Sequence, residues 1–262
     1  MVQSHDSDAQ RSPLTAKRVL VVRPEREADR FIALLEKNGA KVTHTPVMAI
    51  EPISDNKAAE SQAIRNLILE LDNFHKAIVV SGNAAELALE WFDRYWPMLP
   101  VGVEFFAIGQ HSAEILAAEN IVARAPNGRQ NSEALLALPQ LEDLSDQRVI
   151  IFRGCGGREI LGQTLSERGA RVDYCELYRR EIIQQQVLKA RHQLLQSDCL
   201  VAHSGELLQA MGPLAVELAV AVALVVPSER VAAIARELGY QNIVSAENAL
   251  PESMLAAVEK AI

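Results

Sequence analysis

One pattern occurs twice in this chain, and that repetition limits what it can fold into. Residues 18–22 (RVLVV), a helical pattern and Gly39-Ala40-Lys41-Val42 return as residues 148–152 (RVIIF), a second helical pattern and Gly169-Ala170-Arg171-Val172, at a constant offset of 130. Residues 77–82 (AIVVSG) match 200–205 (LVAHSG). Residues 106–109, followed by a helix and Ile121-Val122, match 224–227, followed by a helix and Ile243-Val244. A short amphipathic helix closes each copy, at 132–138 and 252–261. Short apolar runs flanked by polar residues and alternating with helical patterns read as buried parallel strands with crossover helices. About five strands per copy then predict two similar parallel α/β domains.

The 262 residues are comfortable for two such domains, and 49% hydrophobic with 23% charged residues is ordinary globular usage. Two divisions fit the repeat. A cut near Leu144 separates tandem halves. Alternatively, residues 42–53 and 172–183 are strands too long to end inside one domain, so the first βαβ unit packs with the last third of the chain and the middle is an insertion. Composition and spacing do not choose between them.

In open α/β sheets, ligands bind beyond the carboxyl ends of the strands. The loops there are Arg23-Pro24-Glu25, Ser81-Gly82-Asn83, Gly109-Gln110-His111-Ser112, residues 153–158, Ser204-Gly205-Glu206 and Pro227-Ser228-Glu229-Arg230. Taken alone, Ser81, Ser204 and Ser228 read as helix N-caps. The loop from Arg153 to Arg158 (RGCGGR) offers backbone N–H groups and two guanidinium groups, which could hold an anion or brace the loop itself. It falls short of a dinucleotide fingerprint because Glu159 stands where a third glycine is needed. No histidine lies near enough in sequence to Cys155 to act as its base, so Cys155 reads as an incidental small residue.

A net charge of −8 disfavours non-specific binding to nucleic acid or to anionic membranes. The longest apolar stretch, residues 218–226, is far below the ~20 residues of a membrane helix and reads as a buried strand with its lead-in. Residues 1–16 carry neither a signal-peptide core nor a transit-peptide pattern and are expected to be a disordered tail. Three cysteines suggest a reducing cytoplasm. The six histidines lack metal-ligand spacing, so no metal site is expected.

The segment RGCGGREILGQTLSERGARVDYCELYRR, the turn in VAHSGELL and the segment LVVPSERVAAIARELGYQNI resemble uroporphyrinogen-III synthases of the bacterial type, from residue 18 to 262. The resemblance implies two flavodoxin-like (Rossmann-like) parallel-sheet domains joined by a two-stranded β-ladder, the second inserted into the first. Domain I would be 17–48 with 183–262, and domain II 49–182. It also implies cyclisation of hydroxymethylbilane, a linear tetrapyrrole with eight carboxylates, to uroporphyrinogen III in an interdomain cleft. Water is lost and the last pyrrole ring inverted through azafulvene and spiro intermediates, without metal or organic cofactor.

Tyr178 matches the tyrosine of the family's strand-end motif and would assist departure of the hydroxyl. Ser81, Gly82, Asn83, Gly109, Ser112, Ser204, Gly205, Ser228, Arg230, Arg153 and Arg158 are the candidate substrate-binding residues. The chain departs from the family at Val80 and His203, where many members carry Thr, and at Val231 and Ala232, where many carry Ser or Thr. A cytoplasmic monomer is expected, with at most transient contact with hydroxymethylbilane synthase. Two alternatives remain: a non-enzymatic sensor of a tetrapyrrole or another anion, and a nucleotide-dependent enzyme.

Overall fold

The computed structural model describes residues 13–25, 28–54, 58–128, 131–157 and 159–262. They form two compact units: one holds the described residues up to Ala49 together with Glu181–Ile262, the other is Ile50–Arg180.

The first unit is built on a five-stranded sheet. Its strands are β1 (Arg18–Val21), β2 (Lys41–His44), β9 (Cys199–Val201), β10 (Ala223–Val226) and β11 (Ile243–Ser245), in the order β11-β10-β9-β1-β2 and all parallel. Side chains alternate across a strand, so each strand feeds two apolar layers. Leu20, Leu200, Leu224 and Val226 pack on one face, together with Val187 of α7 (Gln184–Leu194), Leu207 of α8 (Gly205–Met211) and Val231 of α10 (Glu229–Glu237). Val19, Val21, Cys199, Val201 and Val225 pack on the other, with Phe31 and Leu35 of α1 (Asp29–Lys37) and Met254 of α11 (Pro251–Ala261). Arg18 clamps β1 to β9 at its amino end, its backbone N–H and guanidinium donating to the Asp198 carboxylate at 2.7–3.2 Å.

The second unit repeats the order with other parts of the chain. Its six strands are β3 (Met48–Pro52), β4 (Lys76–Val79), β5 (Glu104–Ala107), β6 (Ala123–Arg124), β7 (Arg148–Gly154) and β8 (Arg171–Ile182), arranged β3-β8-β7-β4-β5-β6. The five strands from β8 to β6 are parallel. β3 runs against β8: Ile53 N–H donates to the Leu177 carbonyl and Ile183 N–H to the Val47 carbonyl, so numbering rises on one strand as it falls on the other. Both strands continue through the junction of the units, which makes them the joining ladder. Each unit thus combines the βαβ of one repeat copy with the last three strands of the other. In the second unit, Ala77, Val79, Ile150 and Phe152 face α2 (Ala58–Leu69) and α3 (Gly82–Tyr95), while Ile78, Phe106, Val149 and Ile151 face α5 (Ser132–Leu136) and α6 (Ile160–Glu167).

The apolar stretch 218–226 holds the buried strand β10, and its lead-in is a helix, α9 (Val216–Ala221), whose buried residue is Ala219. Two expectations need revision. The expected strand at Ile121-Val122 starts two residues later as β6, an edge strand with one neighbour, and leaves Val122 exposed. The disordered tail expected to residue 16 meets a limit at Leu14, which is fully buried in the α1/α11 layer and whose carbonyl accepts from Lys17 N–H. Residues 1–12 lie outside the described residues.

Candidate functional site

The carboxyl edge of the second unit brings together strand ends that are far apart in sequence. Ser81, just beyond β4, caps α3: its Oγ accepts from Ala84 N–H at 3.1 Å, as its place after a strand leads one to expect. The same Oγ lies 3.1 Å from the Tyr178 hydroxyl. Tyr178 reaches it from β8 because the register with β7 shifts between Arg153 and Gly154, so that Gly154 stands opposite Tyr178. Cys155 N–H donates to the Tyr178 carbonyl at 2.8 Å and fixes the strand there.

Gly154 is a close-approach glycine. A Cβ there would lie 2.5 Å from the Tyr178 ring. Gly154→Ala is expected to push the ring away from Ser81 at an overpacking cost of about 1–3 kcal/mol. Turnover and Tm, measured on the same sample, should fall together.

Gly82 starts α3, and its α-carbon faces the His111 ring; an added methyl would lie 3.2 Å from it. Gly109 is the N-cap residue of α4 (Gln110–Ala118), and Ser112 and Asn83 are buried in the first turns of their helices. Ser81, Gly82, Asn83, Gly109, Ser112 and Tyr178 therefore lie at or beside the helix starts of this edge. His111 is a contributor that the sequence did not single out, and only its place beside Gly109 could have pointed to it.

The glycine loop differs from a simple anion cradle. The Arg153 side chain is only 6% exposed; its Nε donates to the Gly154 carbonyl at 3.2 Å and lies 3.9 Å from a Glu176 carboxylate oxygen. Its guanidinium stacks 4.8 Å from the Tyr174 ring centroid and fills the space beside Gly157. The geometry is that of a brace. Arg158 lies outside the described residues. Cys155 lines a cavity of about 350 Å³ with Ile53, Ile64, Tyr174, Glu176 and Arg179. Burial, then Glu176, pushes its thiol above the usual range, which removes the thiolate a nucleophile needs.

On the first unit's edge, Ser204 caps α8 by accepting from Leu207 N–H at 3.3 Å, and Gly205 allows close packing of Ile234. Ser228 occupies the N-cap position of α10 but makes no side-chain cap bond, so the capping expectation fails there. Arg230 is exposed in the first turn of the same helix.

His203, just beyond β9, packs edge-on against Phe31 with ring centroids 5.2 Å apart. Both of its ring nitrogens are sealed from solvent and have no hydrogen-bond partner. Burial, with Arg23 adding to it, lowers the imidazole pKa to about 3. The unfolded chain takes up this proton near pH 6.5 and the folded protein does not, so stability should fall as pH drops from about 6.5 toward 3. The slope is at most about 1.4 kcal/mol per pH unit, or roughly 2 kcal/mol by pH 5. Urea unfolding of wild type and His203→Phe at pH 7 and pH 5 checks this, since the variant should lack that component.

Among the described residues, no helix is long and apolar enough to cross a membrane, and no cluster of His, Cys, Asp and Glu is suited to a metal.

Fold and site together define a duplicated α/β protein of flavodoxin-like topology that presents helix starts and strand-end side chains on the carboxyl edges of two sheets. Residues 29–256 match the family model described as uroporphyrinogen-III synthase HemD. Curated relatives include the uroporphyrinogen-III synthases of Escherichia coli K12 (34% identical over 257 residues, covering 92% of this chain and 99% of the relative) and Salmonella typhimurium (32% over 252 residues, 92% and 99%). The crystal structure of a mutant uroporphyrinogen III synthase from the extremely thermophilic bacterium Thermus thermophilus is similar in fold, with TM-score 0.63 at 22% identity over 94% of this chain and 98% of that one. The synthetase of Helicobacter pylori 26695 is also similar, with TM-score 0.58 at 11% identity over 93% and 99%. The chain belongs to the uroporphyrinogen-III synthase family, enzymes of tetrapyrrole biosynthesis. The sensor alternative receives no support from these relatives.

Proposed function

We propose that the chain converts hydroxymethylbilane to uroporphyrinogen III and that Tyr178 is its proton donor. The observation that carries this is the 3.1 Å contact between Tyr178 Oη and Ser81 Oγ at the start of α3. Ser81 Oγ already accepts from Ala84 N–H, so its own proton can go to the Tyr178 oxygen. The phenolic proton is then left for the hydroxyl that must leave as water. Protonation in that step is general acid catalysis, worth about 10²–10⁴-fold in rate. The bilane closes unaided to the uninverted isomer, so the protein must also hold the chain folded until the correct pyrrole carbon attacks.

A substrate with eight carboxylates meets a protein of net charge −8, so affinity depends on local donors rather than the overall field. The candidates are the backbone N–H groups of Gly82, Asn83 and Gly205, the caps at Gly109 and Ser228, the Ser112 and Ser204 hydroxyls, and Arg230. Arg153 is assigned to bracing the glycine loop; Arg153→Ala should lower Tm and leave KM near wild type. The chain is further inferred to act in the cytoplasm as a monomer that meets hydroxymethylbilane synthase only transiently, and a two-subunit mass in solution would contradict the monomer.

The reading is tested by generating hydroxymethylbilane in situ, adding the protein, oxidising the products and separating porphyrin isomers. Predominance of type III supports it; type I alone from folded protein refutes it.

A further inference from the structure

Two residues outside the proposed site stand side by side at the carboxyl edge of the first unit's sheet. β1 and β9 are parallel neighbours with Val21 opposite Val201, and Val22 N–H donates to the Val201 carbonyl just beyond them. Extending that register by two residues sets Arg23 beside His203, whose ring faces α1. His44, which ends β2, fixes the Arg23 backbone through its Nε2, 2.8 Å from the Arg23 carbonyl oxygen. Phe31 of α1 closes the His203 ring from one side.

A buried imidazole with both nitrogens unpartnered is a rare and costly feature, because a neutral ring always carries one N–H that needs an acceptor. The cost is retained beside a cation, Arg23, whose charge acts on the ring. A group that suits both residues is an acceptor carrying negative charge. His203 as a whole is only partly buried, so a change of its side-chain rotamer can bring a ring nitrogen to the edge of the sheet.

We propose that Arg23 and His203 form a subsite that takes one carboxylate of the anionic substrate, with Arg23 supplying charge and the neutral His203 ring an N–H donor. This rests on the synthase reading given above. It adds a specificity-determining pair at the strand-end loops of the first unit.

The test uses full-length protein. His203→Phe keeps the edge-on aromatic contact and removes the unpartnered nitrogens, so Tm should rise by a few degrees while KM rises about tenfold, the loss of one good hydrogen bond to a charged group. The kcat should stay within about twofold, and His203→Gln, which keeps a donor, should hold KM within about threefold of wild type. Arg23→Gln should raise KM as well. The double variant should be no worse than the more affected single variant, since both residues hold the same group.

An unchanged KM in His203→Phe, or KM effects that multiply in the double variant, overturns the subsite while type III formation by wild type leaves the synthase reading intact. If wild type makes only type I, the synthase reading fails. The subsite is then decided by the Tm shift that uroporphyrin III causes in wild type and the same four variants. A smaller shift in His203→Phe than in wild type upholds it, and an equal shift overturns it.

Discussion

Tyr178→Phe is expected to lower kcat for type III formation by about 10²-fold or more, the range of a lost general acid. The substituted ring still covers Gly154 and stays in the core, so the fold and Tm should change little. The released bilane then closes without guidance, and the product mixture should move toward type I. The informative comparison is with Ser81→Ala. If Ser81 only caps α3, its loss costs about 1 kcal/mol of stability and no turnover. If it also directs the Tyr178 proton, kcat falls with the Tyr178 hydroxyl still present. A Tyr178→Phe protein with wild-type kcat removes the catalytic assignment.

Phe152→Ala should be a severely damaging core substitution in the second unit. The side chain is fully buried in β7 and meets Phe92 of α3 edge-to-face, with ring centroids 5.4 Å apart. Truncation leaves a cavity beneath the sheet and costs about 3–5 kcal/mol, a large fraction of the stability of an ordinary domain. The same cavity loosens α3, whose N-cap is Ser81. Urea unfolding should show a midpoint shift at unchanged slope, and an assay at low temperature should show partial loss of turnover even where the protein stays folded.

The features that were legible in the sequence are those set by neighbouring residues. The apolar runs of β1, β4, β7 and β10 and the left-handed glycines that end α1 and α6, Gly39 and Gly169 with φ of 87° and 94°, follow directly from residue type and spacing. The strand-end loops followed from the same pattern. Strand pairing did not, because hydrogen bonds between β1 and β9 leave no mark on periodicity; the resemblance, not the spacing, favoured the insertion.

The meeting of Ser81 and Tyr178, 97 positions apart, depends on the shift of register at Gly154; without it, Leu177 would stand opposite. Arg153 was ambiguous because a guanidinium that binds an anion and one that fills the space beside Gly157 have the same sequence signature. The empty cap at Ser228 was equally invisible, since a serine in N-cap position reads the same whether or not its hydroxyl accepts.

The exchange of parts between the repeat copies has a consequence for how the protein is made. The second unit is contiguous, so everything needed for its sheet has been synthesised once residue 180 is out of the ribosome. The first unit begins earlier and finishes later. β1 must wait for β9, whose clamp residue Asp198 lies 180 positions beyond Arg18, and the apolar faces of β1 and α1 are uncovered in the interval. The inserted unit is thus placed to fold first during translation, and the N-terminal βαβ becomes the segment most exposed to misassociation and to chaperones.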